Sequence, residues 1–241
     1  MIKAIFLDMD ETLCDTTKAN ILAKDHLTQF VSSHFSSLEQ ANDFSEKYLQ
    51  GIYKNLSPDL QQKLFPISDE EAFRTKLVHI FFEQCGANSK LSDIQANEIR
   101  QEYDSYRIQQ FDFFKDCEKM LKDLREKFTL VVITNGPAYS QQPKVERIEL
   151  DQHVDHFIIG GLEPEEKPEK SIFNKALNLA SVQAHEAIHV GDSVKADIIG
   201  ANNSGIKSVW INPNKAENEF ADFSIEIITQ LPEVLRKLNS L

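Results

Sequence analysis

The sequence predicts an α/β protein: a Rossmann-like core on a parallel sheet, with an all-helical segment inserted after the first strand. Three observations predict it. A short apolar run at the N-terminus ends in a pair of carboxylates, residues 16–110 carry apolar residues at helical spacing, and after Phe114 strand-like and helix-like runs alternate. Alternation of that kind places parallel strands side by side with helices on both faces.

In chain order, IKAIFL (residues 2–7) is a buried strand that delivers Asp8 at its C-terminal tip. The stretches ILAKDHLTQFVSSHF, EEAFRTKLVHIFFEQC and SDIQANEIRQEYDSY then have helical periodicity, and nothing between them reads as a strand. The core resumes with helix DCEKMLKDLREKF, strand TLVVIT, a helix around QQPKVERIEL, short strand HFIIG, helix EKSIFNKALNLA, strand AIHV, helix SVKADIIGANNSG and strand IKSVWIN. The first strand needs a pairing partner, and only the sheet after residue 115 offers one. Residues 1–15 and 111–241 are therefore expected to form one core domain, with 16–110 as a helical insertion.

A chain of 241 residues can bury such a core. Hydrophobic residues make up 41% and charged residues 27%, the proportions of a soluble globular protein. The formal charge of -12 comes from 26 basic and 38 acidic residues without a long like-charge run, which argues against a nucleic-acid polymer as partner. No apolar run approaches the roughly 20 residues that span a bilayer, and the N-terminal run meets acids before a signal peptide can form. The expectation is a cytoplasmic protein without a membrane partner, a monomer or weak homodimer. Cys14, Cys85 and Cys117 lack the spacing of a disulfide framework or thiolate metal site and read as reduced thiols.

Three strands end in polar or glycine-containing residues, and in open α/β sheets ligands bind beyond the carboxyl ends of strands. Asp8 and Asp10 in DMDET can divide the work of phosphoryl transfer, one attacking as a carboxylate and the other carrying a proton to the leaving oxygen. A turn with Asp as a helix cap would use the same residues. Asp192 in GDSVKAD suits a hard cation such as Mg2+, which takes oxygen ligands, although a helix start has the same composition. Asp197, one turn later, is either a supporting group or a solvated acid. Thr134, Asn135 and Gly136 offer a hydroxyl, an amide and backbone N–H groups for phosphate oxygens, or form a plain turn. Lys167, before Pro168, can point into the site and neutralise charge there, or pair at the surface with Glu165, Glu166 or Glu169. Each signal alone is weak. In conjunction they supply nucleophile, proton donor, phosphate clamp, cation and metal ligand.

Those four segments, DMDET, TNG, the lysine of EEKPEKSIF and GDSVKAD, resemble the motifs of the haloacid dehalogenase superfamily over residues 1–14 and about 115–230. The longer strings TNGPAYSQQPKVE and GGLEPEEKPEKSIF look most like the branch holding N-acylneuraminate-9-phosphatase and the bacterial nucleotidases. The resemblance implies that Asp8 forms an aspartyl-phosphate and that Asp10 is general acid and then base. It implies that Thr134 and Asn135 contact the phosphoryl group and that Lys167 bridges Asp8 and phosphate. Mg2+ would be held by Asp8, the backbone carbonyl of Asp10 and Asp192, with Asp197 in support. The insertion looks like the family's C1-type cap, by place and helical character only. Glu11 and Lys170 depart from what relatives often carry, at positions that are not catalytic.

The activity implied is hydrolysis of a small phosphorylated metabolite, a sugar phosphate or nucleoside monophosphate. Dehalogenation, phosphomutase chemistry and a catalytically silent binding protein are the alternatives. Asp10 and Asp192 speak against the first, and the retention of Asp8, Asp10, Lys167 and Asp192 against the last. His153, His156 and His189 read as structural, and Trp210 and the phenylalanines of the insertion as core. Arg107 can reach an anionic substrate or pair with a nearby acid on its helix.

Overall fold

Successive side chains of a strand point to opposite faces, so a strand apolar at every position belongs in the middle of a sheet covered on both sides. Strand β1 (Ala4–Leu7) is of this kind, and all four of its residues are inaccessible to solvent. In a computed structural model that describes residues 1–216 and 218–239, it is joined by β2 (Thr129–Thr134), β3 (His156–Ile159), β4 (Ala187–Gly191), β5 (Lys207–Ile211) and β6 (Phe223–Ile225). All pairings are parallel, in the order β3-β2-β1-β4-β5-β6.

The chain divides into two compact units, Met1–Thr16 with Phe111–Leu241, and Thr17–Gln110. The second unit is built from α1 (Thr16–Val31), α2 (Leu38–Ile52), α3 (Pro58–Leu64), α4 (Glu70–Gln84) and α5 (Asp93–Gln110). Helix α2 starts where the Ser37 side chain accepts from Gln40 N, and α4 where Asp69 accepts from Ala72 N, both N-caps. Ala23, Leu27 and Val31 recur every four residues along α1 and are fully buried, as one face of a helix requires. They join an aromatic cluster in which the Phe82 ring stands against Phe35 at 4.8 Å and Phe44 at 5.3 Å. Each such buried ring contributes roughly 1.5–3 kcal/mol of transfer free energy. Phe30 and Phe65 are exceptions to the core assignment, being about half exposed.

Arg107 also departs from expectation. It is buried, and its partners are neutral: Nε donates to Asn20 Oδ1 at 2.7 Å and Nη2 reaches the Tyr53 hydroxyl at 3.3 Å. The surface pair with an acid is replaced by a tie between α1 and α5.

In the first unit, α6 (Cys117–Arg125), α7 (Ala138–Arg147), α8 (Leu150–His153), α9 (Lys170–Ala180), α10 (Gly200–Asn203) and α11 (Leu231–Asn239) connect or cover the strands. Ala4, Phe6, Val131, Ile133 and Ala187 point to the face covered by Ile172, Phe173 and Ala176 of α9. Two differences from the sequence stand out. Strand β6 and helix α11 were not anticipated, because three residues, Phe223–Ile225, are too short a run for periodicity to register. The helix expected over SVKADIIGANNSG starts as a wide π-type segment, Val194–Ile199, in which Ile198 N reaches Ser193 O. Such widened turns are frequent at functional sites. All three cysteines are free and buried, and no helix of the described residues is long and apolar enough to cross a membrane.

Candidate active site

The register places the residues that follow β1 and β4 side by side: Leu7 lies opposite Val190, and Asp8 N donates to Val190 O at 2.9 Å. Asp8 and Asp192 therefore leave adjacent strands at the same rim of the sheet. After Asp8 the chain turns sharply, with Glu11 at a φ of 56° and the N–H groups of Leu13 and Cys14 both donating to Met9 O at 3.0 Å. This turn returns Thr16 to Asp10, whose Oδ1 accepts the Thr16 hydroxyl at 2.5 Å and the Lys144 ammonium at 2.7 Å.

Lys167 is buried, and its Nζ lies 2.6 Å from Asp8 Oδ1 and 2.7 Å from Asp197 Oδ1. The acids next to it in sequence do not compete: Glu165 accepts from Ser171 and Glu166 from Gly136 N. Its backbone is gripped from both sides by one amide, with Asn135 Nδ2 donating to Lys167 O at 2.7 Å and Asn135 Oδ1 accepting from Lys167 N at 2.9 Å. The amide that the sequence offers to phosphate thus positions the lysine, and Asn135 is itself braced by Gln141 Nε2 on its carbonyl at 2.8 Å. Thr134 ends β2, buried.

Asp197 is a buried acceptor rather than a solvated acid. Oδ1 takes Lys167 Nζ and His189 Nε2, the latter at 2.9 Å, and Oδ2 takes Ser193 N at 3.0 Å. The absence of a side chain at residue 191 makes this possible, because a Cβ there would lie 2.2 Å from Asp197 Cγ. Gly191→Ala is expected to push Asp197 off Lys167 and to lower stability by about 3 kcal/mol, the upper range for overpacking. Urea unfolding checks this, and an unchanged midpoint would contradict the packing described.

Electrostatics follow from burial. Three carboxylates surround one ammonium, so the cluster is over-negative. Burial pushes the Asp8 carboxyl up to about 8 against the pull of Lys167. Burial, with the charge of Asp197, pushes Asp192 up to about 6. Burial opposes charge on Asp197 too, yet the Lys167 ammonium and the His189 hydrogen bond hold it well below the usual carboxylate range. Burial disfavours the Lys167 ammonium, but Asp197 and Asp8 hold its pKa above the ordinary lysine value. Burial lowers that of His189, so its ring is neutral; facing an ionised Asp197 it must donate from Nε2, leaving Nδ1 without a hydrogen-bond partner among the described residues. His189, which reads as structural in the sequence, supports Asp197.

One carboxylate oxygen each from Asp8, Asp192 and Asp197 lies within 4.8 Å of the others. An all-oxygen donor set in an over-negative pocket fits a hard divalent cation. With both Asp197 oxygens already accepting hydrogen bonds, Asp8 and Asp192 are the acids placed to hold it. Trp210 takes part as well, its Nε1 donating to Asp192 O at 2.8 Å.

Sequence reasoning missed Thr16, Lys144 and Gln141. A signal existed for two of them: Gln141, Lys144 and Val145 share the buried face of α7, and a lysine in an apolar register is a polar residue in need of a partner.

Residues 5–211 match the family of haloacid dehalogenase-like hydrolases. Among relatives, the chain is 28% identical to N-acylneuraminate-9-phosphatase of Homo sapiens, covering 99% of this chain and 95% of that one. It is 32% identical to glyceraldehyde 3-phosphate phosphatase of Pyrococcus abyssi, over 89% of this chain and 83% of that one. Among solved structures, it resembles a 2-haloacid dehalogenase from Pseudomonas syringae with a TM-score of 0.65 and 28% identity, covering 99% of this chain and 100% of that one.

Proposed function

The chain belongs to the haloacid dehalogenase-like hydrolases, and on that premise we propose that it hydrolyses small phosphate monoesters through a phosphoryl group carried on Asp8. The observation that carries the proposal is the buried ammonium of Lys167 bridging Asp8 and Asp197, with Asp192 beside them. A carboxylate oxygen of Asp8 attacks phosphorus while the bond to the leaving oxygen breaks, and Asp10 gives that oxygen a proton. Asp10, now a carboxylate, takes a proton from water as the water oxygen attacks phosphorus, and inorganic phosphate leaves Asp8. Lys167 favours the charged form of Asp8 against the burial that raises its carboxyl, and offsets charge on the transferring group. The Thr134 hydroxyl and the backbone at Asn135 supply hydrogen bonds to phosphate oxygens. Mg2+, held by Asp8, Asp192 and the Asp10 carbonyl, would supply further charge neutralisation when bound.

Similarity to a haloacid dehalogenase is compatible with a shared nucleophile. Halide, however, departs as a stable anion and needs no proton, whereas an alkoxide does. The proton-donor task of Asp10, held by Lys144 and Thr16, arises only in the second case. The relatives acting on phosphates support the same choice. We assign residues 16–110 the part of a cap that selects the substrate.

A phosphate-release screen over sugar phosphates, nucleoside monophosphates and sialic acid 9-phosphate with Mg2+ tests this. Turnover is expected for at least one class and should fall by about 10²-fold or more when EDTA removes the cation. Halide release from 2-haloacids without phosphate release from any monoester would overturn the reading.

A further inference from the structure

We propose that Arg107, with Asn20 and Tyr53, forms a receptor for a carboxylate, carried by the substrate or by a free acid. Carriage by the substrate rests on the reading of the chain as a phosphatase. The arginines of the helical unit, Arg74, Arg100 and Arg107, are all buried. Two of them meet acids: Arg74 reaches Glu70 and Asp104, and Arg100 reaches Asp104 and Glu71. Arg107 is as deeply buried, at 8% exposure, yet its acceptors among the described residues are the Asn20 amide and the Tyr53 hydroxyl, both neutral. Taking a charge out of water without an opposite charge is unfavourable, and a glutamine could tie the same two helices without that cost. Holding two helices together therefore does not explain an arginine here.

The cluster is arranged to donate. Arg107 Nε donates to Asn20 Oδ1 at 2.7 Å, and the Tyr53 oxygen receives both Arg107 Nη2 at 3.3 Å and Asn20 Nδ2 at 2.7 Å. An oxygen that accepts twice directs its own hydrogen elsewhere, so the Tyr53 O–H is a donor to a further group. The guanidinium carries N–H groups beyond the two engaged, and the fork they form matches the two oxygens of a carboxylate. One guanidinium balances one negative charge, which suits a carboxylate better than a second phosphate. The bonds to Asn20 and Tyr53 also hold the side chain in one conformation, so little rotational freedom is lost when an anion arrives. Tyr53 follows α2 and is 54% exposed, and the cluster is reached from solvent at that end. Asn20 and Arg107 both lie within one helical turn of the positions where the chain enters and leaves this unit, 16–17 and 110–111.

The test uses matched pairs of esters, 3-phosphoglycerate with glycerol 3-phosphate and 6-phosphogluconate with glucitol 6-phosphate. Within each pair a carboxylate is replaced by a hydroxymethyl group and nothing else changes. The unaltered enzyme is expected to favour the carboxylated member of at least one pair by about 10- to 10²-fold in kcat/KM. Arg107→Met should bring that ratio to about one through a higher KM for the carboxylated ester. Arg107→Lys, which keeps the charge and loses the fork, should keep part of the ratio. Arg107→Gln replaces the methionine variant if that does not fold. Where neither pair shows a preference, glycerate and gluconate as free acids should alter the rate on glycerol 3-phosphate in the unaltered enzyme and not in Arg107→Met, which assigns the receptor to a free acid. A preference that survives in Arg107→Met, equal losses on both members of a pair, or no preference together with no Arg107-dependent effect of the free acids would overturn the proposal. Should the unaltered enzyme cleave no monoester, the functional reading fails separately, and thermal unfolding with gluconate decides the receptor: a Tm shift in the unaltered protein that Arg107→Met abolishes supports it, and the same response from both proteins refutes it.

Discussion

Asp8→Asn is expected to abolish turnover of every phosphate monoester while leaving the fold intact. The amide keeps the shape of the carboxylate and can still accept from Lys167, but it offers no anionic oxygen to phosphorus. Loss of a covalent nucleophile lowers kcat by about 10⁴-fold or more. The same change should remove a pH dependence of stability. Burial raises the Asp8 carboxyl from 3.8 to about 8 in the folded state, so folding takes up a proton between those values. Its contribution is fully present below the unfolded value and is lost as pH rises through about 8. In EDTA the unaltered protein should therefore lose stability from pH 4 toward pH 8 relative to Asp8→Asn. Thermal unfolding at pH 5 and pH 8, beside phosphate release, measures both effects. Activity within tenfold of the unaltered enzyme would remove Asp8 as nucleophile.

What the sequence made legible is local. Asp8, Thr134 and Asp192 stand at the ends of runs whose strand character is written in a handful of neighbouring residues, and parallel strands bring their ends to one rim without further information. Lys167 was placed by Pro168 beside it and by its order relative to the other signals. The second set of contacts was not legible, because it depends on partners far apart in the chain. Lys144 meets Asp10 across 134 positions, and Asn135 clasps Lys167 across 32. No short-range pattern announces either. The amide of Asn135 shows what residue type alone leaves open: an Asn at a strand tip can bind phosphate or hold a loop, and here it clasps the backbone of Lys167. Gly191 is a similar case: nothing in its neighbours announces that the close approach of Asp197 requires a glycine there. Arg107 differed because its acceptors, Asn20 and Tyr53, belong to distant segments, and the helix rule that suggested an acid considers only near neighbours.

Lys167→Met is expected to be the most damaging substitution for stability. The lysine side chain is 1% exposed and is the cation shared by Asp8 and Asp197. Breaking a buried pair by removing one partner costs about 3–5 kcal/mol, because a charge remains without compensation. Asp197 bears most of this: its carboxyl is held well below the usual range by Lys167 and His189 against the effect of burial, and methionine leaves only the second of these. The sign of the pH dependence follows. A depressed carboxyl contributes stability that is present above its unfolded pKa of about 3.8 and lost as pH falls through the folded value. The penalty of Lys167→Met should therefore be largest near neutrality and shrink as acid protonates Asp197, which then needs no ammonium. Denaturant unfolding at pH 7 and pH 4 reads the change. A penalty that stays constant between those conditions would mean that the lysine serves packing alone and that its bridge to Asp197 carries no energetic weight.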